Sequence, residues 1–245
     1  MSAGSVAAAR SAHQQARGGA SPTPALQLPS TFAPRDLKIL PIAPVVARHL
    51  CELHHYLRTY PGGALLNFGA FAGQHLLGVC VLTVGPFNAH RFFRNARPKE
   101  VLCLARFWLD DRCGRNSESR VLSVICRSLR RWQSGIKALV AYSDPAAGHD
   151  GSIYRAAGFA YLGTSEATPL YRLPDGSVHH SRSLGHSFGT RSVAHFHARG
   201  VAVRTVPQAP KFVYVALIDP AWRERLTRLV LPYRDRALEA EHEGS

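Results

Sequence analysis

The run Ala-Tyr-Ser-Asp-Pro-Ala-Ala-Gly-His-Asp-Gly-Ser-Ile-Tyr-Arg-Ala-Ala-Gly-Phe, residues 141–159, constrains the fold more than any other part of the chain. It follows the apolar stretch Ile136–Val140, which has the character of a buried strand. Asp144-Pro145 then turns the chain, a glycine-rich loop follows, and a short amphipathic segment closes on Gly158. Strand, open loop and short helix in that order belong to an α/β sheet. Asp144 and His149 fall in the loop and Tyr154 one turn into the helix. Titratable groups are thereby gathered at the carboxyl end of a strand, where open sheets bind ligands.

The remaining periodicities supply the elements around it. Pro44–Thr59 has helical spacing, with Val46, Leu50, Leu53 and Leu57 on one stripe. Ala64–Ala70 and His75–Val84 form a hairpin pattern, and Glu100–Leu109 is a further strand. The polar loop 110–117 leads into a helix with Val121, Leu122, Ile125, Leu129 and Trp132 inward. Leu170–Leu173 and Ser177–His180 flank the turn Pro174-Asp175-Gly176. Ser183–Arg199 has helical character, Lys211–Ile218 is a strand, and Ala221–Leu229 a final basic helix.

Of 245 residues, 30 are basic and 16 acidic, a formal net charge of +14. Arginine dominates the cations and is the side chain suited to bidentate phosphate contact, which points to an anionic partner; coding bias is the bland alternative. Residues 91–137 hold twelve basic residues against four acidic ones, and 172–211 hold six against Asp175 alone. Two basic stretches flanking a nearly neutral titratable loop suit an enzyme acting on a polyanion, although a solvated basic face has the same composition. No apolar run approaches the roughly 18 residues of a membrane span. Cys51, Cys80, Cys103, Cys113 and Cys126 show no paired spacing and suit a reducing compartment. Cys113, in the polar loop, is the candidate reactive thiol.

Residues 1–35 carry no acidic residue and four prolines, and are expected to be a disordered tail. The expected organisation is then an acyltransferase-like core over 36–165, a C-terminal basic extension over 166–234 completing the domain, and an acidic tail over 235–245.

The element order is that of the GCN5-related N-acetyltransferase fold, and Ile153-Tyr154-Arg155-Ala156-Ala157-Gly158-Phe159 resembles a segment common there. The expected fold class is therefore α/β: a GCN5-related N-acetyltransferase-like mixed sheet flanked by helices, with the basic extension. A narrower resemblance lies in His55-Tyr56-Leu57-Arg58 before Pro61-Gly62-Gly63, Leu104-Ala105-Arg106 leading to Arg115-Asn116-Ser117-Glu118-Ser119, and Tyr142-Ser143-Asp144-Pro145 with Gly148-His149 and Gly151-x-Ile153-Tyr154-Arg155. In this order, over residues 50–160, the pieces resemble the Mom-type DNA modification proteins of bacteriophages. The resemblance implies transfer of a carbamoylmethyl or acyl-type group to the exocyclic amine of adenine in double-stranded DNA, an anti-restriction role and action in the host-cell cytoplasm. It implies that His55, Tyr56, Asp144 and Tyr154 are essential, and it brings an iron requirement. A homodimer is compatible with it.

The residues themselves suggest roles. The adenine amine is a poor nucleophile and needs a base; Asp144, in a dry loop, would have a raised pKa and serve as one. A turn cap is its alternative role. Tyr154 would donate a proton to a leaving group, or be a packed aromatic. His55 and Tyr56, on the first helix, would wall the pocket or bind the base edge. His149, with His55 and Asp144, would make a two-histidine, one-carboxylate iron site. An acyl-CoA-like donor would lie at the start of the Arg120 helix, held by Arg112, Arg115, Asn116, Ser117 and Arg120. The coenzyme A signature is broken there, so an anion such as DNA phosphate is equally compatible. Arg182, Arg191, Arg199 and Arg204 are candidates for gripping DNA, and Phe188 or Phe196 for filling the gap left by an extruded base. Two other readings remain open: an N-acetyltransferase for a small-molecule or protein amine, and a non-enzymatic DNA-binding protein.

Overall fold

The computed structural model describes residues 31–84, 89–166, 170–180, 189 and 193–233. Its centre is a seven-stranded mixed sheet. In chain order the strands are β1 (Lys38–Pro41), β2 (Ala64–Ala72), β3 (His75–Thr83), β4 (Val101–Leu109), β5 (Ala138–Ser143), β6 (Ala160–Thr164) and, from the extension, β10 (Phe212–Leu217). In space the order is β1-β2-β3-β4-β5-β10-β6. β4 and β5 are parallel and every other neighbour is antiparallel. β10 thus slots between two strands of the expected core. A smaller sheet, ordered β8-β7-β9, comprises β7 (Leu170–Arg172), β8 (Val178–His180) and β9 (Arg204–Val206).

Side-chain alternation along the strands divides the core into two faces. On one, Leu102, Leu104, Leu139 and Ala141 pack against Val121, Leu122, Ile125 and Leu129 of α2 (Ser117–Trp132). On the other, Val79 and Val81 meet Ala47, Leu50 and Cys51 of α1 (Pro44–His54). That same face continues over Val101, Val140, Val213 and Val215, where Phe93 and Trp222 cover it. Each fully buried side chain of this size contributes about 1.5–3 kcal/mol, so the two layers are what hold the strand ends in place.

Several elements differ from the periodicity. α1 stops at His54, because His55 turns extended (ψ 140°) and its Nδ1 accepts the Leu57 N–H at 3.1 Å. A side chain competing for a backbone donor ends a helix in this way. Leu53 and Leu57 are exposed, and the buried face is Ala47, Leu50 and Cys51. Trp132 is 70% exposed, because α2 ends where its inner stripe would otherwise continue. The expected basic helix after Ala221 is a 3-10 turn over Pro220–Arg225. Of the expected 183–199 helix, Val193–Ala198 (α4) is helical, and 181–188 and 190–192 lie outside the described residues. β1 and β9 had no periodic signal. No helix among the described residues is long and apolar enough to cross a membrane.

The end of the expected N-terminal tail belongs to the fold. Phe32 is buried in the α2-side core, and its N–H and C=O bond Arg112 O and Gly114 N, both at 2.8 Å. Phe32→Ala should therefore cost about 3–5 kcal/mol in urea unfolding; an unchanged midpoint would show that the segment contributes nothing.

Candidate active site

The parallel pair at the centre of the sheet comes apart. β4 and β5 pair from Val101↔Ala138 to Leu104↔Ala141, and no further, although both strands continue. At the same level the β3–β4 register slips between Val81↔Arg106 and Leu82↔Leu104, leaving Ala105 as a bulge. The bulge inverts the alternation: Leu102 and Leu104 face α2 before it, and Phe107 and Leu109 after it. Trp108 accordingly faces α1, and Arg106 turns to the α1 side. Bulges recur beside active sites because they re-aim a side chain in this manner.

Arg106 anchors the segment after α1. Its Nε donates to Thr59 O at 2.8 Å, Nη2 to Thr59 Oγ1 at 2.9 Å and Nη1 to Ala105 O at 2.7 Å. The segment so held carries His55 and Tyr56. The His55 ring lies 4.5 Å from that of Tyr56, and the Tyr56 and His149 rings meet nearly at right angles with centroids 5.2 Å apart. His55 is buried, and Tyr56 is half open to solvent. Burial pushes the His55 pKa down to about 4, with Arg106 and then His149 adding to the shift. His55 is therefore neutral at physiological pH. Because Nδ1 accepts from Leu57, its proton sits on Nε2, which makes that nitrogen a donor.

The loop after β5 is fastened from within. Ser143 Oγ donates to His149 O at 2.8 Å, and the Tyr214 hydroxyl to Asp150 O at 3.0 Å. Gly151 has φ 81°, and a Cβ there would lie 2.3 Å from the Tyr214 hydroxyl, so only glycine fits. Asp144 is half-buried. Its Oδ1 caps Ala146 N at 3.1 Å and its Oδ2 pairs with Lys211 Nζ at 2.9 Å. Its surroundings are thus an ammonium and an amide, not the dry loop expected. Tyr154, in α3 (Ser152–Ala156), is buried between Phe159 and Tyr214 at 5.5 and 5.2 Å. Burial raises its pKa well above the usual phenol value, with Cys80, Cys103 and Tyr56 reinforcing the shift. It stays protonated and can act only as a donor or a very weak acid.

These observations sit beside a family match and a relative in sequence. The Mom protein family matches residues 36–235. The chain belongs to the Mom protein family. Methylcarbamoylase mom of Escherichia phage Mu is 27% identical over 213 residues, which cover 82% of this chain and 85% of that protein. Among solved structures, AAC(6')-Ib with acetyl-CoA aligns at 11% identity and a TM-score of 0.45, over 80% of this chain and 99% of that one. A ribosomal-protein-S5-alanine acetyltransferase from Vibrio fischeri aligns at 10% identity and a TM-score of 0.44, over 76% and 95%. Likeness at that level carries no argument about donor or substrate.

Within this Mom-family chain, His55, Tyr56 and His149 are brought together, with Asp144 and Tyr154 in the adjoining loop and helix. Arg106 and Lys211 were not among the expected site residues. In the sequence Arg106 is only part of a longer motif and Lys211 only the start of a strand, and neither the bulge nor the β10 insertion that places them leaves a local signal. The proposed iron set does not fit. Among the described residues no group of three histidine, cysteine or carboxylate side chains is arranged for a metal, and His55 Nδ1 is taken by Leu57.

The start of α2 also differs from an open anion cradle. Arg112 grips Asp110 through two bonds of 2.8 Å, holding that carboxyl at about 2. Arg120 Nε donates to Pro34 O at 2.6 Å and Gly114 N–H to Phe32 O. Arg115 and Asn116 are exposed, Asn116 is left-handed (φ 69°) and caps nothing, and Ser117 is fully buried with Oγ unpartnered. Carbonyls of the chain's own N-terminal segment thus take up two of the donors at this helix start. Cys113 beside it is not an activated thiol, since burial pushes it up to about 11. Arg199 and Arg204 are exposed, Arg182, Arg191 and Phe188 lie outside the described residues, and Phe196 packs with Leu173 and Val203.

One measurement tests this geometry. Since the folded His55 pKa lies below the unfolded value, the unfolded chain binds the extra proton as pH falls from about 6.5 to about 4, and stability is lost across that window. His55→Asn keeps an acceptor for Leu57 N–H and should remove about 1–2 kcal/mol of that loss, read as unfolding midpoints at both pH values.

Proposed function

We propose that this chain is a DNA base-modification transferase that places a carbamoylmethyl or acyl-type group on the exocyclic amine of adenine, protecting phage DNA from restriction. The observation that carries the reading is the convergence of His55 and Tyr56 with His149 at the mouth where β4 and β5 part, in a chain of the Mom family. Methyl-carbamoyl transfer by the phage Mu relative supports the class of group.

The roles follow from the side chains. A target adenine leaves the stack at a cost of about a few kcal/mol and enters the mouth beside Tyr56, whose exposed ring offers it a stacking face. The neutral His55 Nε2–H donates to an acceptor of the base or of the incoming group. Asp144 takes the proton from the amine as its nitrogen forms the new bond, and Lys211 shares the carboxylate's charge before transfer. Tyr154, kept protonated, hydrogen-bonds the leaving group. Positioned groups of this kind each contribute about 10²–10⁴-fold. Arg106 acts through the His55–Tyr56 segment as a positioning residue.

Mass spectrometry of nucleosides from cells expressing the protein is the decisive test. Deoxyadenosine carrying the added group is expected, falling by about 10²-fold or more for Asp144→Ala and Tyr154→Phe. Unmodified deoxyadenosine with the wild-type chain would end the proposal.

A further inference from the structure

The basic residues counted along the sequence separate onto two faces of the sheet. Arg127 and Arg131 are exposed on α2. Arg91 and Arg94 belong to the other face, in a layer formed with residues distant in sequence. Arg94 N–H donates to Arg225 O at 2.7 Å, Thr227 N–H to Phe92 O at 2.9 Å and Thr227 Oγ1 to Arg91 O at 2.9 Å. Phe93 and Trp222, both buried, meet 5.5 Å apart beneath it.

We propose that Arg91, Arg94, Arg223, Arg225 and Arg228 on this composite layer grip the phosphate backbone of duplex DNA beside the mouth. The inference rests on DNA as the substrate of the proposed function, and adds where on the protein the duplex lies. The segments 89–97 and 220–228 hold six arginines, these five and Arg97, against Glu224, with Asp219 just before the second segment and close to Arg225. Three are pre-positioned: Arg225 lies 4.8 Å over Trp222, Arg228 lies 5.0 Å over Phe92 and donates to Thr164 O at 2.9 Å, and Arg94 donates to Glu224 O. Each such bond uses one of an arginine's five donors and leaves the rest for phosphate.

The layer shares its face with α1. Val79 and Val81 alternate with Thr83, which pairs with Cys103, which pairs with Val140 under the layer. Arg228 reaches the end of the sheet at which Asp144 and Lys211 meet, since Thr164 and Ser143 both pair with Phe212. A backbone held there runs past the exposed Tyr56 and presents its bases to the mouth.

Fluorescence anisotropy with a labelled duplex across a salt series tests the assignment. Loss of three contacts in Arg91→Gln/Arg223→Gln/Arg225→Gln should weaken binding on the order of 10²-fold near 0.1 M salt and flatten the log–log salt slope by about 2.7, and the matching triple lysine variant should restore the slope. If the triple glutamine variant fails to melt cooperatively, Arg223→Gln alone should flatten the slope by about 0.9. Wild-type binding and modification of DNA with an unchanged slope in the variants would overturn the surface and leave the function standing. A wild-type chain that neither binds nor modifies DNA would overturn both.

Discussion

Everything at the site depends on the parting of β4 from β5 beyond the Leu104↔Ala141 pair. Two parallel strands that stop sharing hydrogen bonds open a wedge in an otherwise continuous sheet. The Ala105 bulge sits at the apex of that wedge and hands Arg106 to the α1 face. Without the phase change Arg106 would enter the apolar layer under α2, where an unpaired guanidinium is costly. With it, the guanidinium ties down Thr59 and the segment carrying His55 and Tyr56. One extra residue in one strand therefore links the sheet to the pocket wall.

The rest of the mouth is held by contacts that spend the chain's own polar groups. Ser143, Tyr214 and Lys211 fix the loop that bears Asp144 and His149, while Gly151 lets the Tyr214 ring close against the backbone. The same economy operates at the start of α2, where Phe32 and Pro34 satisfy Gly114 and Arg120.

The neutral state of His55 and the protonated state of Tyr154 have one origin, burial that penalises charge. Asp144 is half-buried and paired with the Lys211 ammonium. The pocket thus sets two neutral donors beside a carboxylate, a set suited to moving a proton away from an amine while stabilising a leaving group.

Much of this was legible from local pattern. Strand, loop and helix over 136–159, the hairpin 64–84 and the β10 run all follow from apolar alternation and glycine placement, which act over a few residues. The grouping of His55, Tyr56, Asp144 and Tyr154 was accessible only through resemblance, since they are far apart in the chain. Misplaced stripes on α1 and α2 have a common cause: periodicity states that a face is apolar, not which neighbour covers it, so Leu53 and Trp132 end in solvent.

By itself the sequence determined the α/β class, the titratable loop at a strand end and the family. Only the tertiary structure decided that Arg106 faces α1, that Lys211 is the partner of Asp144, that Phe32 closes the start of α2 and that Arg94 shares a surface with Arg225. Each of these depends on strand register or on pairing between distant segments. A one-residue slip moves a side chain to the other face, and no local pattern of residues encodes that slip.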